Sequence, residues 1–363
     1  MPSLDASRFF HAIVVVGASL VACSSDSSPA PSGVAGTAGG AGGDSAGAAG
    51  AAGASGGGSG GATSTAGGAP GGPAAGPTGP GPTGPGPTGP GGWKGWLVTV
   101  SMRRDRPFWA TTPDEEARVG AVSDPAIDAL APELRASVAA IWAMRAGMEA
   151  HVGAAFAVIA RELLETGAEP PVLRIAARAV DDELEHVAIC LLLAERHDGV
   201  EHAWPDAEPL FVPAHEGASG ALLATLHLTA MSCLNETIAS VRLGAALAAC
   251  ESVVVSRGLK AILTDEIEHA RAGWAHLASR FVTADHKREI ALRLPGMIDA
   301  SLTGLIEENA ALPLEGFSAL GLPSVDETRR VALASLEEVV FPGFARVGVA
   351  TDGARAMLAG RAP

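Results

Sequence analysis

The chain has 363 residues, 46 of them Gly, and a formal net charge of −15. That charge argues against nucleic acid and against an anionic membrane surface as partners. With four Cys and no Cys-x-x-Cys there is neither a disulfide framework nor a zinc or rubredoxin-like site, and the absence of Tyr excludes a stored tyrosyl radical.

At the N-terminus Arg8 precedes an apolar run, Ile13 to Ala22, that ends at Cys23. The run is too short to span a bilayer and suits a secretory signal. Leu20-Val21-Ala22-Cys23 resembles the lipobox of bacterial lipoproteins, in which the signal is cut before the Cys and the thiol is acylated. The resemblance implies a lipid on Cys23 and, because Ser24 follows it in place of Asp, sorting to the outer membrane. The expected location is the bacterial cell envelope, with the folded part in the periplasm or at the cell surface. The membrane is then touched only through the anchor at Cys23. The alternative is an ordinary cleaved signal followed by a chance Cys.

Residues 24–92 are almost entirely Gly, Ala, Ser, Thr and Pro. Such a segment cannot bury enough apolar surface to offset its ordering entropy, so a disordered linker is expected. From Gly76 the pattern GPTGP recurs every five residues, whereas collagen requires Gly at every third. As a coil the segment reaches about 45 Å r.m.s.. The chain therefore divides into a signal (1–22), the lipidated Cys and linker (23–92), a main helical domain (93–283, core 133–282) and a C-terminal helical extension (284–363).

The folded part reads as all-α. Pro132-Glu133 opens a helix that runs unbroken to Thr166-Gly167. A second starts at Pro170-Pro171 and stops near Asp198-Gly199. A Pro-rich crossover follows, then a third helix from about Ser219 to Ala249 and a fourth from about Ser252 to Val282. Two more segments are predicted, Asp285 to Ala311 and Val325 to Arg355, the latter interrupted at Pro342-Gly343.

The second and fourth helices each carry an acidic pentad amid apolar residues, DELEH at Asp182–His186 and DEIEH at Asp265–His269. Positions i and i+3 share a helix face, so each pentad presents a Glu-x-x-His: Glu183 with His186, and Glu266 with His269. The first helix contains Glu149 and the third Glu236, each near its midpoint in small and apolar surroundings. Carboxylates are rarely buried unless paired or bound to metal. One Glu from each of two helices and a Glu-x-x-His from each of the other two is the donor set of ferritin-like di-iron and di-manganese proteins. A lone Glu-x-x-His occurs by accident; two mid-helix pentads in the second and fourth helices are much harder to obtain so. The bland alternative is a pair of solvated, charged helix faces.

Over residues 133–282 the chain resembles the ferritin-like superfamily. The resemblance implies a four-helix bundle with one long crossover between its second and third helices. It also implies two iron ions, or alternatively two manganese ions, held by Glu149, Glu183, His186, Glu236, Glu266 and His269. Bacterial multicomponent monooxygenases of this superfamily carry a D-E-x-R-H pentad whose Asp orients a His ligand. By that resemblance Asp182 would hold His186 and Asp265 would hold His269. This chain departs from the pattern with Glu185 and Glu268 in place of Arg. Arg145, one turn before Glu149, is a further candidate partner of the ligands. Gly153, Ser240, Cys190 and Cys233 lie within a turn of ligands and are candidates to line a pocket, with core packing as the alternative for the two thiols. Trp142 is expected in the core, and His197, His202 and His215 in an exposed loop.

The expected activity is that of a non-haem di-iron oxidoreductase reacting with O₂ or peroxide. Outside the cytoplasm no NADH is at hand, and the sequence names no electron donor. The alternatives are a ferrous-iron-oxidising or manganese–peroxide detoxifying module, or a non-catalytic ferritin-like interaction lipoprotein. A homodimer is compatible with each. An apolar pocket beside the metals would favour substrate oxidation, and an acidic path would favour iron oxidation.

Overall fold

The computed structural model describes residues 108–109, 119–206, 213–310 and 317–360. The signal, Cys23 and the linker lie outside them. Among the described residues every regular element is helical. None of these helices is long and apolar enough to cross a membrane.

Four long helices form the main body. α1 (Pro132–Thr166) begins with Pro in its first turn and ends where Gly167 adopts φ 78°, its N–H turned back to the carbonyls of Leu163 and Leu164. α2 (Pro170–Asp198) repeats this grammar, with Pro at the start and Gly199 at φ 78° closing it. α3 spans residues 220–249 in three continuous parts: Gly220–Leu228, a π-helical stretch Thr229–Glu236, and Thr237–Ala249. α4 (Val253–Ala278) is capped by Ser252, whose hydroxyl accepts from Val255 N–H. It ends at Ala278, short of the expected Val282, because Ser279 turns into extended backbone.

The buried side chains show how these helices run. One apolar cluster joins Val138–Ala146 of α1, Val187–Ala194 of α2, Ala246 of α3 and Val254–Ile262 of α4. Another joins Ile159 and Leu163 of α1, Val172 and Ala176 of α2, Ala224 and Leu228 of α3, and Ala272 and Ala275 of α4. Hence α1 and α2 are antiparallel, α3 and α4 are antiparallel, and the connection between α2 and α3 returns the chain from one end of the body to the other. Burying each Leu or Ile of these layers contributes roughly 1.5–3 kcal/mol. Both layers flank one level of the body, and at that level sit residues 149, 182–186, 236 and 265–269.

Outside this body lie α5 (Ala284–Ala310), α6 (residues 325–346) and α7 (Asp352–Ala359). They share a third apolar cluster with α3 and α4, including Leu234, Trp274, Phe341 and Phe344. The expected interruption at Pro342-Gly343 is absent. α6 runs through it because a π-helical turn, Leu336–Val340, precedes Phe341–Arg346 and gives the Pro ring room that a regular turn would deny. A Cβ on Gly343 would stand 2.6 Å from the Trp274 ring, so the close approach of α6 to α4 requires Gly there.

Candidate metal centre

The level between the two apolar layers gathers all six expected donors. α2 brings Glu183 and His186, α4 brings Glu266 and His269, and α1 contributes Glu149. Glu236 is the last residue of the π-helical stretch of α3. The donors form two overlapping groups, Glu149–Glu183–His186–Glu266 and Glu183–Glu236–Glu266–His269, with the ligating atoms of each within 4.8 Å of one another. Glu183 and Glu266 belong to both groups. Glu183, His186 and His269 are fully buried, Glu266 and Glu236 nearly so, and Glu149 is half-buried.

Both imidazoles turn Nδ1 inward. His186 Nδ1 lies 3.2 Å from Glu183 Oε2 and 3.4 Å from Glu266 Oε1. His269 Nδ1 lies 3.0 Å from Glu183 Oε1 and 3.4 Å from Glu266 Oε2. Yet Glu183 Oε1, Glu266 Oε2 and His269 Nδ1 make no hydrogen bond. They stand at ion-pair distance but are mis-angled for one another, as donors are when they face a shared point. Buried polar atoms left in this way are costly unless something else satisfies them. Cations at two such points fit, and a carboxylate-rich set with some imidazole suits iron or manganese better than zinc or copper.

Without metal the centre holds protons. Burial, and then the charge of Glu183, push the Glu149 carboxyl well above its ordinary range. Burial and Glu266 do the same to Glu236. Glu266 itself is held at about 2 against burial, by the hydrogen bond from Glu236 and by His269. Burial opposes charge on both imidazoles, but the facing carboxylates outweigh it and raise His186 and His269 well above the ordinary imidazole value.

The partners of the outer ring nitrogens differ from expectation. Asp182 does not hold His186, nor Asp265 His269; the pairs are crossed between helices. His269 Nε2 donates to Asp182 Oδ2 at 3.3 Å, and His186 Nε2 lies 3.5 Å from Asp265 Oδ2. Within one helix Asp and His at i and i+4 stack along the axis. A ring that turns Nδ1 to the centre instead points Nε2 across to the neighbouring helix. Arg178, which sequence reading overlooked, bonds both aspartates, with Nε 3.0 Å from Asp182 Oδ2 and Nη2 3.3 Å from Asp265 Oδ1. Its i, i+4 spacing to Asp182 was the available signal. Arg145 stacks over the Trp142 ring at 5.1 Å, close enough for Glu149 to act on it electrostatically.

A cavity of about 1760 Å³ opens onto Glu149, Glu236 and Glu266 between α1, α3 and α5. Its apolar lining includes Met144, Met148, Val152, Met231, Ile238 and Leu243. Gly153, Ser240, Cys190 and Cys233 are not part of that lining. Gly153 is packed on Glu183, and Gly273 on Cys233. Ser240 and Cys190 are fully buried. Burial pushes both the Cys190 and the Cys233 thiol up, so neither is a ready thiolate. His197 is buried rather than exposed and hydrogen-bonds the Leu193 carbonyl at 2.7 Å, whereas His202 pairs with Asp198. His215 lines the cavity.

No protein-family model matches the chain, and neither a curated protein nor a solved structure is detectably similar to it.

Proposed function

We propose that this chain is an envelope-anchored, ferritin-like oxidoreductase with a dinuclear non-haem centre, two iron ions or alternatively two manganese ions, that reacts with O₂ or peroxide. The observation that carries the reading is the pair of overlapping donor groups with Glu183 and Glu266 in common. Glu149 and His186 would complete one ion's coordination, Glu236 and His269 the other's. When bound, such a pair supplies redox and Lewis-acid chemistry.

The chain's own residues account for what surrounds that chemistry. Four glutamates oppose the charge of two close cations, and the buried Asp carboxylates fix Nε2–H so that Nδ1 keeps its lone pair for the centre. The apolar layers on both sides exclude water. The cavity is the route from solvent, and its charged lining favours this reading over passage of ferrous ions. Apart from the donors, its lining among the described residues carries Arg145, Arg242 and Arg293 against Asp206 and Glu216. A cation path would be acidic, whereas this one suits a neutral or anionic molecule.

The test is metal analysis of the full chain, produced with iron and with manganese in excess, beside Glu183→Ala/Glu266→Ala. About two ions per chain, lost together in the double variant because both glutamates serve both positions, is the expected outcome. A folded wild-type chain that takes up neither metal would sink the proposal and leave a non-catalytic helical module. Reaction of the reduced, loaded chain with O₂ or with peroxide then separates the iron and manganese readings.

A further inference from the structure

We propose that Arg178 is a positioning residue for both halves of the candidate centre at once, an inference that rests on the dinuclear reading above. Asp182 and Asp265 come from different helices, are 2% and 5% exposed, and each faces the outer nitrogen of the other helix's imidazole. Two buried carboxylates this near one another need a common cation. Arg178 is that cation. Its guanidinium bonds Asp182 at 3.0 Å and Asp265 at 3.3 Å, reaching in from a side chain that is 44% exposed.

The consequence follows from the connectivity. One path runs by hydrogen bonds from Arg178 through Asp182 to His269, and a second runs from Arg178 through Asp265 to a 3.5 Å charge contact with His186 Nε2. His186 and His269 lie in different donor groups. A shift of one guanidinium therefore turns both imidazoles, and the two ion positions are tuned together rather than separately. The planar fork of Arg reaches two carboxylates from fixed directions. A Lys ammonium is a single point charge and holds one well.

The experiment compares wild type, Arg178→Gln, Arg178→Lys and Arg196→Gln as full-length, metal-free chains titrated with Co²⁺. Visible absorption reports the ligand field, and thermal midpoints are taken without metal. Arg196 lies on the same helix and ties α2 to Asp128 at 2.6 Å, remote from the centre, so its loss reports a purely structural effect. Arg178→Gln is expected to bind both ions about 10–100-fold more weakly with an altered Co²⁺ spectrum. Arg178→Lys should recover only part of the affinity. Arg196→Gln should lower the thermal midpoint and leave affinity and spectrum unchanged. Wild-type affinity and spectrum in Arg178→Gln would overturn the proposal alone. If Arg178→Gln does not fold, wild-type binding by Arg178→Lys overturns it equally. A wild-type chain that takes up no Co²⁺ overturns the dinuclear reading and this proposal together.

Discussion

The centre has two unlike halves. On the α2–α4 side each helix offers a Glu, a His and an Asp, all buried, and crossed His–Asp contacts with Arg178 lace the two helices together. On the α1–α3 side each helix offers a single Glu, and the cavity reaches both. The closed half fixes geometry, because each imidazole there has a carboxylate of the other helix behind it. The open half has slack, and it also holds the two carboxyls whose pKa values rise most plainly by burial. On the proposed reading, this division would let one side position ions while the other admits and releases what reacts.

The largest effect that tests this division is on pH. Metal-free, His186, His269, Glu149 and Glu236 are all shifted upward, so two divalent ions that bind here should displace protons from among these groups. Affinity for the pair should rise steeply with pH, by about one decade per unit for each proton displaced. Titration in buffers of differing ionisation enthalpy counts the protons. Release of one or none would mean that the centre is already deprotonated. The sign for stability follows. Groups with raised folded pKa values stabilise the fold below their ordinary values and lose that contribution as pH climbs past them. The thermal midpoint of the metal-free chain should thus fall as pH rises above 4.5, where the two carboxyls begin to lose their contribution, and further above 6.5, where the imidazoles do, as far as these four groups govern it. Glu266, held at about 2, acts oppositely: it stabilises the fold above its ordinary value of 4.5 and loses that contribution as pH falls from there through 2.

Next in size is the loss of one donor from each half. Glu149→Gln removes a group from only one of the two sets, so the chain should retain about one ion, and Glu236→Gln should do likewise at the other position. Neither should destabilise the metal-free fold, because each removes a carboxyl crowded by another. His186→Ala, from the closed half, should lose more than one position's worth of order, since it also removes the imidazole that faces Asp265. Metal content and thermal midpoint read together distinguish the two halves. Equal damage from Glu149→Gln and His186→Ala would erase the distinction.

How much of this could be read from the chain depends on whether the physics is local. Pro at the start and Gly at the end announce α1 and α2, and the i, i+3 spacing places Glu183 beside His186 on one helix face. Crossed His–Asp pairing is long-range, and nothing in DELEH or DEIEH says which helix supplies the Asp. The π-helical stretch was equally hidden. Its residues, TAMSCLNE, differ in no obvious way from those of an α-helix, and the stretch lies against α4, where Gly273 closely faces Ser232 and Cys233, a long-range contact. The break expected at Pro342 failed for the same reason, since a π-helical turn accommodated the ring. Arg178 was half legible: its spacing to Asp182 is local, its bond to Asp265 is not.

The smallest effect is the most discriminating about how the halves meet. Gly153 of α1 faces α2, and a Cβ there would lie 3.1 Å from Glu183 Cβ, closer than side chains ordinarily approach. Gly147, on the same helix, has nothing within 4 Å of such a Cβ. Gly147→Ala should stabilise the chain by up to about 1 kcal/mol through helix propensity alone. Gly153→Ala gains the same propensity but must push α1 and Glu183 apart, with a net loss of about 1–2 kcal/mol. Because Glu183 serves both ion positions, the displacement should also weaken both ions, although Gly153 touches neither imidazole. A Gly153→Ala chain with wild-type metal affinity would show that α1 can recede from α2 without moving Glu183. The closed half would then be rigid enough to hold its geometry unaided.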